Sequence, residues 1–451
     1  MASTFYIPCE VFRREFSCKS VLSTFLSLHG AQVVFGHKWY VNQLAIRHAV
    51  EGDFYLSNHT EQSGSSEFLR NLKAKKVFLL GYEDEGVFSE ENYKQQIISR
   101  KQLKKFDLFD RWLCWGKRDY EILVKENEDN KKFLNFGTPR SALWNELGRK
   151  LYSNSVLEEI TPKYGKFILI ASSFMSKTSN FNVRAILNLN KLNTEFDPAD
   201  LASYATQEYY LSEEQKFNRL NNLIESVLRN TNLNIVLRPY HIKDKYFEKR
   251  LQKLDPKRIF IDERISITPL VIACEALVHM GSTVAIESLQ FRKKTISIEE
   301  YLANNNSTPL LSTSLSYIVK NESDFISQIC KSHKINNKVY ENFVLSDSTE
   351  FYSKLKIEIL NMNAAAFSGN YKSLEKPNLN IGGLIYRIAT MLRRGSIYRY
   401  DLIKRQNIDL NWFKKFVNST LVAFGFDANS LEIIKTNRAT FCLRYKKATK
   451  M

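Results

Sequence analysis

The chain has 451 residues and 44% of them are hydrophobic, which is enough for two or three domains with a sizeable core and excludes disorder throughout. No stretch approaches the roughly 18 apolar residues of a spanning helix. Acid and base interrupt the opening "MASTFYIPCEVFRREF" before a signal-like run can form, so the default compartment is cytoplasmic.

Charge and cysteines narrow the field further. Of the formal charge of +17, most sits at the end: from Ile381 to Met451, 14 Lys or Arg stand against 4 Asp or Glu, an excess of +10. That stretch, "IYRIATMLRRGSIYRYDLIKRQ" among it, also carries Tyr398, Tyr400 and Trp412. It reads as a solvated basic segment, as a surface for anionic lipid, or as a nucleic-acid contact. The six cysteines are scattered through apolar segments without a CxxC pair or a nearby His cluster, which fits reduced core thiols and no structural metal.

In chain order, "STFYIPC" reads as a strand, "KSVLSTFLSLHG" as a helix closed by Gly30, and "AQVVFG" as a second strand. "DFYLSN", the helical "SSEFLRNLKA", "KVFLLGY", "RWLCWG", the helix "KRDYEILVKEN", "KFLNFG" and a helix from Ser141 follow. A polar linker is expected around Ser153 to Lys166. The pattern then restarts with the strand "KFILIAS", a long helix through "EEQKFNRLNNLIESVLRN", the strand "LNIVLRP", a helix from Tyr246 to Leu254, the strand "RIFIDE" and the stretch "LVHMGSTVAIESLQFRKKTISI". In that last stretch an apolar run meets a Gly-Ser-Thr break and a helix of about three turns. Short apolar strands alternating with helices imply parallel sheets covered on both faces. The fold expected is α/β, with two Rossmann-like parallel-sheet domains (1–155 and 156–345) facing a cleft, then a helical return and basic C-terminal extension over 346–451.

Ligands of open parallel sheets collect at the carboxyl ends of the strands. Gly281 allows a tight turn there, Ser282 is a good N-cap, and the N–H groups opening the next helix make a site for phosphate. Glu287, a turn further on, is within reach of a ribose hydroxyl if it is not simply a solvated first-turn acid. Arg238, at the end of its strand, is a charge partner for phosphate or else a surface arginine. His279 faces the same turn or is a satisfied core histidine. On the N-terminal side, Glu10 and Glu15 follow the first strand, and Glu83, Asp84 and Glu85 follow "VFLLGY". Those acids argue against nucleic acid in the cleft.

Several motifs in order carry a resemblance: "IPCEVFRREFSCKSVLSTFLSLHGAQVVFG", "GYEDEG", "FGTPR", "SNFN", "LRPYH" and "GSTVAIES". Together they resemble bacterial surface-carbohydrate biosynthesis proteins of lipopolysaccharide and capsule loci, glycosyltransferases of the GT-B type. The resemblance implies an acceptor-side first domain and a nucleotide-sugar-binding second domain. It departs from the family in two places: the histidine of Arg238-Pro239-Tyr240-His241 stands one position late, and Ala142 follows where an acid is expected.

The reaction so implied moves a sugar from a nucleotide-sugar donor, such as a CMP-activated nonulosonic acid, to a glycan or lipid-linked acceptor. Donor contacts would come from Arg238, His241, His279, Gly281, Ser282, Thr283 and Glu287. Glu85 or Asp84, with Glu10, would do the acid-base or nucleophilic work, and Arg14, Glu15 and Glu83 would meet the acceptor. No Asp-x-Asp is present and no cofactor is expected, the nucleotide-sugar being a substrate. The basic segment would hold the enzyme on the inner face of the inner membrane. A sugar-nucleotide epimerase or other nucleotide-sugar enzyme of this fold, and an inactive scaffold or basic nucleic-acid- or membrane-binding protein, are the rival expectations.

Overall fold

The structure is a computed structural model that describes residues 2–57, 66–84, 106–126, 130–174, 207–239, 246–303, 311–331, 343–369, 371, 408–437 and 440–446. It divides into two compact units, one of Met1–Leu151, Lys338–Asn378 and Arg405–Met451, the other of Tyr152–Asn337 and Leu379–Lys404.

The first unit is built on an eight-stranded sheet in the order β13-β14-β2-β1-β3-β4-β5-β6. Its strands β1 (Thr4–Cys9), β2 (Gln32–His37), β3 (Phe54–Ser57), β4 (Phe78–Tyr82), β5 (Arg111–Leu113) and β6 (Phe133–Leu134) run parallel. Successive side chains of a strand point to opposite faces. Accordingly Val34 joins Val41, Leu44 and Leu72 in one core layer. Phe35, one residue on, packs against Phe16 of α1 (Phe12–Leu28) on the other face. The helix α2 (Lys38–His48), which brings Val41 and Leu44, follows β2 without a break. The sequence pattern missed it because the apolar residues of "HKWYVNQLAIRH" do not form one stripe: Val41, Leu44 and Ala45 are buried while Ile46 is exposed.

The described residues after 346 belong to the first unit. The strands β13 (Leu431–Asn437) and β14 (Thr440–Tyr445) extend the first sheet antiparallel at the β2 edge. The helix Leu410–Ala423 packs on α1 through Phe413, whose ring lies 5.6 Å from that of Phe16.

The second unit holds a six-stranded sheet, β12-β11-β10-β7-β8-β9, in which every pairing is parallel. Its strands are β7 (Phe167–Ala171), β8 (Asn234–Arg238), β9 (Ile259–Ile261), β10 (Ala276–His279), β11 (Lys294–Ser297) and β12 (Tyr317–Ile318). Numbered from β7, the order is the 3-2-1-4-5-6 of doubly wound nucleotide-binding sheets. Its inner strands β7, β8, β10 and β11 are largely buried on both faces and read Val/Ile/Leu-rich, FILIA and NIVLR among them, while β9 and β12 at the edges are half-buried. The helix Gln207–Asn230 gives Phe217, Leu220, Ile224 and Val227 to the core.

Two expectations need correction. The span read as a polar linker is helical: Glu146–Asn154 continues through a π-helical stretch, Ser155–Ile160, into Thr161–Tyr164, because Ile160 and Tyr164 are fully buried and anchor it. The helix after the Gly-Ser-Thr turn, Val284–Gln290, has seven residues, about two turns; Arg292, at a φ of 56°, takes the chain out of it.

Candidate functional site

In the second unit the sheet reverses its winding between β7 and β10, the crevice where doubly wound folds take their ligands. The Ser173 hydroxyl, just past β7, donates to the carbonyl of Met280, just past β10, at 3.2 Å. Gly281 next adopts a φ of 76°, in the left-handed region that costs a side-chain-bearing residue about 1–2 kcal/mol. The turn Gly281–Thr283 is half-buried. The N-terminal N–H groups of the helix are not open as expected. Val284 N–H reaches Ser282 Oγ at 3.3 Å, Ala285 N–H the Ser282 carbonyl at 3.1 Å, and Ile286 N–H the Thr283 carbonyl at 3.1 Å. Among the described residues, the N–H groups of Ser282 and Thr283 meet no backbone acceptor. Thr283, rather than Ser282, occupies the N-cap position, with no side-chain capping bond of its own.

Glu287 is not a solvated acid. It is 2% exposed and accepts from the Thr268 hydroxyl at 2.5 Å, tying the helix after β10 to the helix Thr268–Ala273. His279 is fully buried with Nε2 2.9 Å from Ser316 Oγ, and burial pushes its imidazole down to about 3. It is therefore neutral across the physiological range.

Arg238 ends β8 with its guanidinium turned to the loop after β9. It donates to the carbonyls of Asp262 at 3.1 Å and Arg264 at 2.5 Å, and lies 3.7 Å from the Asp262 carboxylate. Burial raises the Asp262 carboxyl, but hydrogen bonds from Arg264 and Tyr164 outweigh it and hold the group below its usual value. The Arg264 guanidinium, 20% exposed, is thus fixed by Asp262 beside the same edge. Sequence reading missed Asp262 and Arg264, although "IDER" directly after a strand displays both charges. His241 lies outside the described residues.

In the first unit the acids follow β1 and β4, and a lysine joins them. Glu15, Lys19 and Asp84 are all fully buried. Glu15 Oε1 accepts the Val11 N–H at 2.8 Å, and Oε2 accepts the Glu10 N–H at 3.0 Å and the Lys19 ammonium at 2.7 Å. Both oxygens of Glu15 thus close the start of α1 and hold Lys19, a different setting from the open acceptor contact expected of it. Arg14 Nη2 stands 3.6 Å from Glu15. Glu10 is half-buried and pairs with Lys38 at 2.9 Å. The Glu83 carbonyl accepts from Trp115 Nε1 at 2.7 Å, and the Asp84 carbonyl from Arg140 at 3.0 Å. Arg140 comes from the "FGTPR" turn, where Gly137 has a φ of 90° and Thr138 and Ser141 bond each other. Neither carboxylate oxygen of Asp84 has a hydrogen-bond partner among the described residues. Glu85 lies outside them.

Lys19 was legible in principle. It falls on the helical stripe of Phe12, Phe16 and Leu22, four residues after Glu15. Burial lowers its ammonium, but the Glu15 and Asp84 charges win and hold it above its usual value. For Glu15, burial acts upward and Lys19 and Arg14 outweigh it, so the carboxyl stays low. For Asp84, burial dominates and Glu15 adds to it, so the carboxyl is pushed up despite Lys19. Among the described residues no group of three or more His, Cys, Asp or Glu is placed to hold a metal ion.

The two units define an α/β protein of two Rossmann-like sheets, the kind of pair from which GT-B proteins are also built. Solved structures similar to the chain include a UDP-N-acetylglucosamine 2-epimerase from Rickettsia bellii, at 12% identity over 72% of this chain and 76% of that one, TM-score 0.42. The pneumococcal O-GlcNAc transferase GtfA, in complex with UDP and GlcNAc, is similar at 11% identity over 72% of this chain and 60% of that one, TM-score 0.39. The wall teichoic acid polymerase TagF is similar at 13% over 76% and 74%, TM-score 0.37. Likeness at that level leaves the function to this chain's own residues. No family model and no curated protein sequence matches the chain.

Proposed function

We propose that the chain is a nucleotide-sugar enzyme, a glycosyltransferase, whose second unit takes the nucleotide of the donor. The observation that carries the reading is the β7/β10 switch point: a parallel sheet of 3-2-1-4-5-6 order opens there onto the Gly281–Thr283 turn. The N–H groups of Ser282 and Thr283 face the donor phosphate, and Arg264, held by Asp262, balances its charge. Arg238 and Glu287 act by fixing the loops on either side, Arg238 through two carbonyls and Glu287 through Thr268. The sugar half of the reading rests on the motif series from "IPCEVFRREF" to "GSTVAIES".

In the transfer, the bond between the anomeric carbon and the phosphate oxygen breaks, and the leaving phosphate takes the electron pair. The acceptor hydroxyl forms the new bond and gives its proton to a carboxylate. Asp84 and Glu10 are the candidates for that role in this proposal. The acceptor class proposed is a surface or lipid-linked glycan, approached from an anionic membrane face, and no metal takes part.

The test is incubation of purified protein with CMP-, UDP- and GDP-sugars, with and without glycan acceptors, followed by chromatography of nucleotide and sugar products. Nucleotide release that depends on the acceptor and survives a chelator is the expected result. Epimer or free sugar released without an acceptor would make the chain an epimerase or hydrolase instead.

A further inference from the structure

The first unit holds a buried group of two carboxylates and one ammonium, Glu15, Asp84 and Lys19. An ammonium has three donors. One from Lys19 goes to the Pro8 carbonyl at 2.7 Å and one to Glu15 Oε2 at 2.7 Å. The third is left on the side of Asp84, whose Oδ2 is 3.7 Å away, beyond hydrogen-bond reach. Lys19 therefore sits off centre between the two acids. Glu15 has, besides the ammonium, two backbone N–H donors; among the described residues Asp84 has no backbone donor and neither of its oxygens has a hydrogen bond of good geometry, although the Tyr82 hydroxyl acts on it.

We propose that Lys19 is a positioning residue that divides this carboxylate pair by role: it fixes Glu15 as the permanent anion and leaves Asp84 as the member that takes up and releases a proton. Two acids whose surroundings separate them this strongly are the usual basis of an acid-base assignment, and a buried polar group without a partner is the exception in folded proteins. The inference deepens the function proposed above and rests on it for the substrate, but its test does not.

The groups facing Asp84 are few. From α1 come Glu15, Lys19, Arg14 and Cys18; from β1, Cys9; from β4, Tyr82, whose hydroxyl faces the Asp84 carboxyl; and from the "FGTPR" turn, Arg140. Tyr55 on β3 faces Lys19. Cys9, Cys18, Tyr55 and Tyr82 are all pushed up, chiefly by burial, and stay neutral in the range where a carboxyl titrates. Among the described residues, the carboxylates, the three cations and the Tyr82 hydroxyl decide where the proton sits.

The experiment is an infrared pH titration of the full chain, in which the carboxyl band lost in Asp84→Asn identifies Asp84. Its midpoint should lie above the ordinary aspartate value of about 3.9. In Lys19→Met the midpoint should rise further, because the ammonium is the largest of the three positive charges that oppose burial there, ahead of Arg14 and Arg140; Lys19→Arg should bring it back most of the way. An Asp84 midpoint at or below the ordinary value, or one that Lys19→Met leaves in place, would overturn the proposal. If Lys19→Met does not fold, the wild-type midpoint and that of Lys19→Arg decide. Should no nucleotide-sugar be turned over while Asp84 titrates as described, the proposed function fails and the proton assignment stands.

Discussion

Ser173 and Met280, 107 residues apart, are joined by a 3.2 Å hydrogen bond across the switch point of the second sheet. That bond ties the end of β7 to the end of β10 where the Gly281 turn begins. The turn is thereby held to the sheet, and preorganised N–H groups bind an anion with less loss of chain freedom than mobile ones.

Glu287 and Thr268 should behave as a pair. Glu287→Ala leaves the Thr268 hydroxyl without its acceptor in a buried place, at a cost of about 1–3 kcal/mol. The double variant with Thr268→Val should cost less than the sum of the single ones. Urea unfolding of the four proteins checks this; strict additivity would mean that the 2.5 Å contact does not couple the two helices.

His279 predicts an acid weakness of the second unit. Its folded-state value is about 3 against about 6.5 unfolded, so between these values the unfolded chain binds a proton that the folded one refuses. The contribution is complete above about pH 6.5 and falls away as the pH drops toward 3. His279→Gln should flatten the loss of thermal stability between pH 7 and 5, as read by differential scanning fluorimetry at closely spaced pH values. An unchanged slope would count against the buried neutral imidazole.

Lys19→Met should destabilise the first unit by about 3–5 kcal/mol, because it strands buried carboxylates. Adding Glu15→Gln and Asp84→Asn should return much of that, since uncharged groups cost far less to bury. A urea midpoint that falls further in the triple variant would show that Lys19 acts through packing alone.

The membrane contact can be probed without truncation. Because β13 and β14 are strands of the first sheet, a chain cut near Pro377 loses core and is a poor control. Lys414 and Lys415, exposed on the helix Leu410–Ala423 beside the exposed Trp412, offer a gentler change. Lys414→Glu with Lys415→Glu should weaken sedimentation with anionic vesicles at low salt. Equal sedimentation of both proteins would remove this helix from the contact.

The two sheets were legible because each strand is a short run such as FILIA or NIVLR, apolar on both faces, and because helical stretches separate them. The element after Ser153 was not, since its polar residues face solvent and only Ile160 and Tyr164 anchor it. Strand order was also hidden. That β10 lies beside β7, not β9, is a long-range pairing with no local sign, so the crevice could not be placed from the sequence. The Gly281 turn was readable as a break, but not that its first helical N–H groups bond within the turn. Glu15 looked like an acceptor-side acid because nothing near it in the sequence shows that α1 would be buried on almost every side.

The most direct measurement is a thermal-shift screen with CMP, UDP, GDP and ADP of the wild-type chain and of Gly281→Ala, each variant compared with its own ligand-free state. One nucleotide at about a hundredfold excess over its dissociation constant should stabilise the wild type by about 2.7 kcal/mol, and Gly281→Ala should lose most of that gain. No shift with any nucleotide, or a full shift in Gly281→Ala, would contradict a donor site at the β7/β10 crevice.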